Sequence, residues 1–183
     1  VKDWRPGQRI VSDNTGHVCG RCPACERGDY LLCSEKVNLG LGYGYSGGFT
    51  KYCRIPGEIL AIHKRAIWEI PEGLEYEEAA VMDPICNAYK AIAQRSGLLP
   101  GENVVIFGTG PLGLFSVQIA KIMGALNIVV VGLEEDVKVR FGVARQLGAT
   151  EVVNGSAEDV VKRCQEICGG SDSIGLVVDC AGA

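Results

Sequence analysis

The sequence predicts an α/β fold in which a parallel, doubly wound sheet follows a cysteine-rich lobe. Two observations support this prediction: four cysteines lie between residues 19 and 33, and a glycine-rich turn at 108–113 separates a strand-like from a helix-like segment. Of the 183 residues, 47% are hydrophobic and 22% are charged, which is typical of a globular protein. This apolar content is sufficient for the core of one large domain or two small ones.

Charge and hydropathy exclude several functional classes. A net charge of −4 argues against a surface that neutralises nucleic-acid phosphates. The longest apolar runs, at 103–107 and 127–133, are far too short to span a bilayer. No secretory signal is visible at residues 1–9, and an initiating Met is absent, so residue 1 need not be the natural start. We therefore expect a cytoplasmic, reducing compartment, where clustered cysteines are more often metal ligands than disulfides.

The cysteine-rich lobe has metal-ligand spacing. Cys19, Cys22, Cys25 and Cys33 follow the pattern C-x2-C-x2-C-x7-C. Zinc bound by four thiolates requires a tetrahedron of sulfurs about 2.3 Å from the ion. The short steps let one turn of backbone present successive sulfurs, and the longer loop brings the fourth cysteine across. Such a site has no vacant position, so we predict a structural zinc that stabilises a lobe with few apolar residues.

Other interpretations of these cysteines are weaker. Two disulfides at this spacing would be strained, and a redox C-x-x-C normally opens a helix without two further cysteines. An iron–sulfur cluster is the main rival, since soft thiolates suit both metals. The five remaining cysteines lie in apolar patterns, where free thiols pack as small buried side chains: Cys53, Cys86, Cys164, Cys168 and Cys180.

The glycine-rich turn has the context of a dinucleotide-binding motif. Residues 103–107 form a short β-rich apolar run, and apolar residues at helical spacing follow the turn as far as Ile122. In such a motif Gly108 allows the tight turn, Gly110 lets the backbone approach a pyrophosphate, and Gly113 lets helix and strand pack closely. We predict that the pyrophosphate lies at the N-terminus of this helix.

The rest of the chain continues the alternation of strand and helix. Strands are predicted at 127–131, 151–155 and 174–183, and helices at 137–148 and 157–168. Right-handed crossovers would join them into a parallel Rossmann sheet. Because a full dinucleotide fold has six strands and only four are predicted here, we expect the sheet to be cut short.

The choice between NAD and NADP depends on the end of the second strand of this sheet. An acidic residue there usually binds the adenosine ribose of NAD. This sequence instead has Gly132, followed by Glu134 and Glu135, which could reach the ribose and would repel a 2′-phosphate. Gly132 itself removes such repulsion, and Lys138 or Arg140 could pair with a phosphate. The balance slightly favours NAD.

A cysteine lobe followed by this strand–turn–helix resembles the zinc-containing medium-chain alcohol dehydrogenases, most closely their polyol, sugar and threonine dehydrogenase branch. Five segments are similar to that family: "KDWRPGQRIV", "LGYGYSGGFTKYCRIP", "IPEGLEYEEAAVMDPICNAYKAI", "GTGPLG" and "VARQLGAT". The resemblance covers essentially the whole chain. It implies a partial GroES-like β-barrel with the zinc lobe over 1–75 and an incomplete Rossmann domain over 76–183. The segment "LGYGYSGGFTKYCRIP" would contain one strand of that barrel.

The resemblance also implies a chemistry. In that family a catalytic zinc polarises the substrate oxygen, and a hydride passes from the alcohol to the nicotinamide. One zinc ligand is the carboxylate of an E-P or D-P pair, which falls here on Asp83. An acidic residue at that position is also favoured simply by the first turn of a helix. By the same resemblance the following residues line the cofactor, the last of them near its adenosine end: Gly108, Gly110, Pro111, Leu112, Gly113 and Arg140.

Part of the family pattern is not in this sequence. The other catalytic ligands, a Cys and a Gly-His-Glu segment, precede the stretch that begins here near residue 6. Neither His17 nor His63 fits their role, and His63 is expected in an exposed turn. We therefore expect the middle of a dehydrogenase whose parent is a homo-oligomer and oxidises a secondary alcohol of a polyol or sugar with NAD(P)⁺. The alternative is a non-catalytic, zinc-stabilised module that binds nucleotide; a zinc-free quinone or enoyl reductase is disfavoured by the cysteine lobe.

Overall fold

The chain folds into two compact units, Val1–Ala80 and Val81–Ala183. The computed structural model describes residues 4–13, 16–36, 46–63 and 65–182. The boundary lies five residues beyond the one we proposed from the sequence. Arg9 donates to the carbonyl of Leu74 at 2.6 Å, and its guanidinium lies 4.5 Å from the centre of the Tyr76 ring. The start of α3 therefore contacts the first unit.

In its described residues, the first unit contains a short antiparallel ladder and three short helices. Strand β1 (Ile10–Ser12) pairs with β2 (Ile67–Glu69). The helices are α1 (Pro23–Glu26), α2 (Gly57–Ile62) and α3 (Tyr76–Ala79), with a 3-10 turn at Tyr30–Leu32. The strand predicted from the "LGYGYSGGFTKYCRIP" segment does not form over its described residues, 46–56; the rest of that segment, 41–45, lies outside the described residues.

The second unit is built on a four-stranded parallel sheet. Its strands are β3 (Asn103–Phe107), β4 (Ile128–Gly132), β5 (Glu151–Asn154) and β6 (Ile174–Asp179), in the order β5-β4-β3-β6. Its helices are α4 (Met82–Tyr89), which continues as a π-helix at Lys90–Arg95, α5 (Pro111–Ile122), α6 (Arg140–Leu147) and α7 (Val160–Cys168). The predicted α/β fold with a four-stranded sheet is confirmed. The strand order reverses beside β3, which is where ligands of open α/β sheets bind.

Two helices begin later than the sequence pattern predicts. Ahead of α6, residues 134–136 form a 3-10 turn of their own, in which the Asp136 carboxylate accepts the N–H of Leu133 at 2.9 Å. Ahead of α7, the Asp159 carboxylate accepts the N–H of Lys162 at 3.1 Å and caps the helix. Asp159 thereby satisfies a backbone donor that the first turn of α7 leaves unpaired.

Both faces of the sheet are covered, as expected for parallel strands with continuous apolar sequences. One face packs on α4, α5 and α6, and the other packs on α7. Alternate strand residues point to opposite faces of the sheet: Val104 lies in the apolar cluster on one face, and Val105 lies in the cluster on the other. In the described residues no helix is both long and apolar enough to cross a membrane.

The expectation that the isolated cysteines are buried is right only in part. Cys164 and Cys168 are buried on the inner face of α7, but Cys180 is half-buried, and Cys53 and Cys86 are exposed. For Cys86 the reason is its place on a solvent-facing side of α4, since the buried position of that helix is Ala88. Local apolar composition did not reveal which face of the helix each thiol occupies.

A buried amide links β3 to the loop that enters β6. Asn103 is 7% exposed, and its Nδ2 donates to the carbonyls of Ser173 at 2.8 Å and Cys168 at 3.2 Å. Its Oδ1 accepts from Asn127 at 2.8 Å.

Leucine at position 103 would leave these groups without partners, so we expect Asn103→Leu to lower the free energy of unfolding by about 2–4 kcal/mol in urea titrations. The exposed amide of Gln146 is the control, and Gln146→Leu should change it by less than about 0.5 kcal/mol. Equal effects of the two substitutions would contradict this assignment.

Candidate metal centre and cofactor cradle

The four cysteines of the lobe converge on one point. One sulfur from each of Cys19, Cys22, Cys25 and Cys33 lies within 4.8 Å of the others, and the sulfurs of Cys19 and Cys25 are 3.9 Å apart. A tetrahedron with metal–sulfur bonds of about 2.3 Å has edges of about 3.8 Å. In the described part of the chain this is the only group of three or more such ligands. The sulfur positions therefore fit a single tetrahedral ion.

Local backbone structure brings these sulfurs together. Cys22 is the N-cap of α1 and Cys25 lies within that helix, so one turn places both on the same side. Gly28 has a φ of +82°, which lets the chain reverse after the helix, and the 3-10 turn that follows ends at Cys33. The sulfur of Cys33 accepts the backbone N–H of Cys19 at 3.4 Å.

The electrostatics of the group suit bound thiolates. Hydrogen bonds from the backbone of Cys25 and Ser34 lower the pKa of Cys22 to about 6. A backbone hydrogen bond from Cys19 likewise lowers the pKa of Cys33. Burial raises the pKa of the Cys25 thiol to about 12, so a metal ion would have to displace its proton. Amide donors aimed at sulfur stabilise negative charge, as a four-thiolate metal site requires.

The spacing of the sulfurs also bears on the iron–sulfur alternative. A [4Fe–4S] cluster binds each of its four cysteines through a different iron atom. The sulfurs around such a cluster are therefore farther apart than the sulfurs around one ion. The compact group formed here favours a single zinc ion.

The cysteine lobe packs against α2 and His63. The sequence prediction for the position of His63 was wrong. His63 is not in an exposed turn: it ends α2 and is 8% exposed. Its ring centre lies 4.4 Å from that of Tyr30, and its Nε2 lies 3.6 Å from a carboxylate oxygen of Asp13. The lobe packs so closely here that a Cβ at Gly20 would lie 2.9 Å from Ile62 Cγ2. This long-range packing buries the histidine.

The glycine-rich turn leads directly from β3 into α5. Gly108 has a φ of +99°, and a Cβ on it would lie 2.9 Å from the carbonyl of Cys180. A Cβ on Gly113 would overlap the carbonyl oxygen of Gly108. Gly110 is the N-cap of α5 and has open space in front of it, the nearest atom to a Cβ there being Arg140 Nη1 at 3.9 Å. Packing therefore requires glycine at two positions of the turn, and the third leaves the backbone accessible.

The first turn of α5 offers free donors at this edge of the sheet. Pro111 has no N–H and occupies the first helical position, where no donor is needed. The N–H groups of Leu112 and Gly113 have no partner within the helix, as at every helix start. These donors and the helix dipole make the turn suited to a phosphate group.

A side-chain network, which we call the brace, ties the turn to the chain between β4 and α6. It consists of Thr109, Asp136 and Arg140. Thr109 Oγ1 donates to Asp136 Oδ1 at 2.6 Å, and Asp136 Oδ2 accepts the Leu133 N–H. Arg140 Nη1 donates to the Thr109 carbonyl at 3.1 Å, and its Nε lies 3.7 Å from Asp136 Oδ1. Thr109 and Asp136 were not among the predicted site residues; the acid–arginine pair at i,i+4 after a strand was the available signal.

Asp83 lies in the first turn of α4, as predicted. The Nδ2 of Asn87, one turn later, donates to Asp83 Oδ2 at 3.2 Å and to the Asp83 carbonyl at 3.0 Å. Asp83 does not belong to the cysteine group, which is the only such group in the described ranges. Its role as a metal ligand therefore stays a prediction.

Comparison with known proteins agrees with both halves of this description. A model of the alcohol dehydrogenase GroES-like domain matches residues 1–65, and a model of zinc-binding dehydrogenases matches residues 111–183. The zinc-type alcohol dehydrogenase-like protein YdjL of Escherichia coli, named as uncharacterized, is 71% identical over 184 residues, which cover 100% of this chain and 51% of YdjL. D-arabitol-phosphate dehydrogenase of Enterococcus avium is 34% identical over 183 residues, which cover 100% of this chain and 49% of that enzyme.

A solved structure gives the same result. It is described as a zinc-binding dehydrogenase of Sinorhizobium meliloti bound to NADP, and it superposes with a TM-score of 0.80 at 31% identity over 100% of this chain and 50% of its own. The chain thus spans about half the length of the curated relatives it matches. With both family models matched, the four-cysteine lobe and the glycine-rich turn in place, the chain belongs to the zinc-containing medium-chain alcohol dehydrogenase family.

Proposed function

We propose that this chain provides the structural zinc lobe and the cofactor cradle of a zinc-dependent oxidoreductase. That enzyme would transfer a hydride between a secondary alcohol of the polyol or sugar class and NAD(P)⁺. The observation that carries the proposal is the turn at 108–113. Close packing requires glycine in this turn, and its free backbone amides lie at the edge of the sheet where the strand order reverses. The arabitol-phosphate dehydrogenase and the NADP-bound dehydrogenase among the similar proteins support the same chemistry.

The four thiolates would hold zinc in a closed shell. Cys19, Cys22, Cys25 and Cys33 use all four positions of a tetrahedral ion, so this zinc would have no place for substrate. Its role is to fix the lobe, whose own buried cluster consists of Val18 and two of the ligands. Zinc supplies the cross-link that a core of this size cannot.

In the cradle, the residues of the turn would bind and orient the cofactor. The amides of Leu112 and Gly113 would donate to its pyrophosphate, and Gly110 would let those phosphates approach the backbone. Gly108 and Gly113 keep α5 close to β3, and Pro111 starts the helix without presenting an extra donor. The bound nicotinamide cofactor would supply the hydride acceptor.

Asp83 is proposed as one ligand of a catalytic zinc. A carboxylate oxygen is a common third protein ligand of catalytic zinc sites. Asn87 holds Asp83 Oδ2, and this contact limits the rotation of the carboxylate about its side-chain bonds. When bound, such a zinc acts as a Lewis acid on an alcohol oxygen. We also propose a cytoplasmic location and a homo-oligomeric parent protein.

The proposal is tested by metal analysis and cofactor titration of the purified chain. We expect one zinc per chain by elemental mass spectrometry of the digested protein, and binding of NAD⁺ or NADP⁺ in isothermal titration calorimetry. Alcohol-dependent NAD(P)H formation by the parent protein would then identify the enzyme. Zinc without binding of either cofactor would contradict the proposed cradle, and cofactor binding without turnover by the parent would favour the non-catalytic module.

A further inference from the structure

The end of β4 does not carry the acidic side chain that binds ribose in NAD-specific folds, because residue 132 is glycine and is tightly surrounded. A Cβ on Gly132 would lie 2.5 Å from Phe141 Cε1. It would also lie 2.8 Å from Thr109 Cγ2 and 2.8 Å from Asp136 Oδ2. Real Cβ atoms do not make contacts this short, so a larger residue here would force the Phe141 ring, Thr109 and Asp136 to shift.

The carboxylate nearest this position is engaged within the protein. Asp136 accepts from the Thr109 hydroxyl and the Leu133 N–H, one with each oxygen. Its side chain is 14% exposed, and the Arg140 guanidinium offsets its charge from 3.7 Å. Compared with an acidic residue that projects from position 132, it is recessed and neutralised. It therefore repels a neighbouring phosphate only weakly.

Glu134, which the sequence suggested as a ribose ligand, points to the adjacent strand. Its Oε2 accepts from Asn154 Nδ2 at 2.6 Å, and its backbone N–H donates to Ser156 Oγ at 3.1 Å. Asn154 ends β5, and Ser156 follows it closely. The third acidic residue of this turn, Glu135, is exposed, where water and salt screen its charge.

Arg140, by contrast, is directed at the turn and remains accessible. Its Nη1 lies 3.9 Å from the position of a Cβ on Gly110 and donates to the Thr109 carbonyl. Its side chain is 52% exposed. A guanidinium carries five N–H donors in a fork that matches phosphate, and the contacts described use only part of them. The remaining donors can bind an anion beside the cradle.

We propose that this cradle prefers NADP to NAD and that Arg140 recognises the 2′-phosphate. The inference rests on the proposed function, because it concerns the cofactor of the same site. It reverses the slight preference for NAD that the sequence suggested. The reason lies in three observations together: Gly132 carries no acid, Glu134 and Asp136 are engaged within the protein, and one accessible guanidinium faces the turn.

Calorimetric titration of the chain with NADP⁺ and with NAD⁺ tests the proposal, since the two probes differ only in the 2′-phosphate. We expect NADP⁺ to bind at least about tenfold more tightly, as for one charge-assisted arginine–phosphate contact. Arg140→Ala should weaken NADP⁺ binding about tenfold and NAD⁺ binding by less than about twofold. Arg140→Lys keeps the charge without the fork, so it should lose only part of the effect.

Arg145 provides the matched control, because it is an exposed arginine in the last turn of the same helix. Arg145→Ala should leave both affinities unchanged. Tighter binding of NAD⁺ by the unmodified chain would overturn the proposal, as would an equal loss for both cofactors in Arg140→Ala, which would indicate a purely structural role. Binding of neither cofactor by the unmodified chain would overturn the proposed cradle as well, so the two failures are distinguishable.

Discussion

Replacing Cys25 with serine is expected to remove the metal from the chain and to unfold the lobe around residues 16–36. Cys25 is buried at the centre of the group, and its sulfur lies 3.9 Å from that of Cys19. Serine offers a weaker, harder ligand for zinc than thiolate does. Structural zinc contributes about 10–16 kcal/mol of apparent binding free energy in small peptides, and the apolar cluster of this lobe is too small to replace it.

The measurement is zinc content together with hydrogen exchange. We expect zinc to fall from one per chain to well below one, and the amides of the lobe to lose their protection in the Cys25→Ser variant. Removal of zinc from the unmodified chain with a chelator should produce the same exchange pattern. The sheet of the second unit should keep its protection in both experiments, since its apolar clusters contain none of these cysteines.

Cys53 supplies the matched control for this substitution. It is an exposed free cysteine of the same unit and lies outside the metal group. Cys53→Ser should therefore retain one zinc and the exchange protection of the lobe. A Cys25→Ser chain that keeps its full zinc content would show that the metal is not bound by these four sulfurs.

The sequence allowed both halves of the candidate site to be located because each is encoded locally. The metal group depends on cysteines within one stretch of the chain, and a short helix and two turns suffice to assemble it. The turn at 108–113 likewise needs only the strand before it and the helix after it. Four cysteines at this spacing, and three glycines between a strand and a helix, are each typical of few other structures.

What the sequence did not reveal depends on contacts between distant segments. His63 is buried because Tyr30 packs on it, and nothing near residue 63 indicates this. The brace joins Thr109 to Asp136 across 27 positions, so it depends on how closely the turn and the end of β4 approach each other. The same approach packs three side chains tightly around Gly132, whereas the sequence alone suggested only a missing acid.

Gly113→Ala is expected to abolish cofactor binding and to destabilise the second unit. Its methyl group would overlap the Gly108 carbonyl oxygen, which is a backbone atom and so cannot rotate aside as the end of a flexible side chain could. The first turn of α5 would therefore move away from β3. We expect the affinity for NAD(P)⁺ to fall about a hundredfold or more, as displacements of this kind cost in binding and catalytic sites. The free energy of unfolding should fall by about 2–3 kcal/mol from overpacking.

Gly142→Ala separates the effect of this contact from a general effect of replacing glycine in a helix. Gly142 lies in α6, and a Cβ added to it would have no other atom within 4 Å, so alanine meets no neighbour there. It should raise the free energy of unfolding by about 0.5–1 kcal/mol through helix propensity and leave cofactor binding unchanged. Calorimetry without urea, at a temperature where circular dichroism shows both variants folded, compares their affinities directly. If folded Gly113→Ala bound the cofactor as tightly as Gly142→Ala, the close approach of α5 to β3 would not be what forms the cradle.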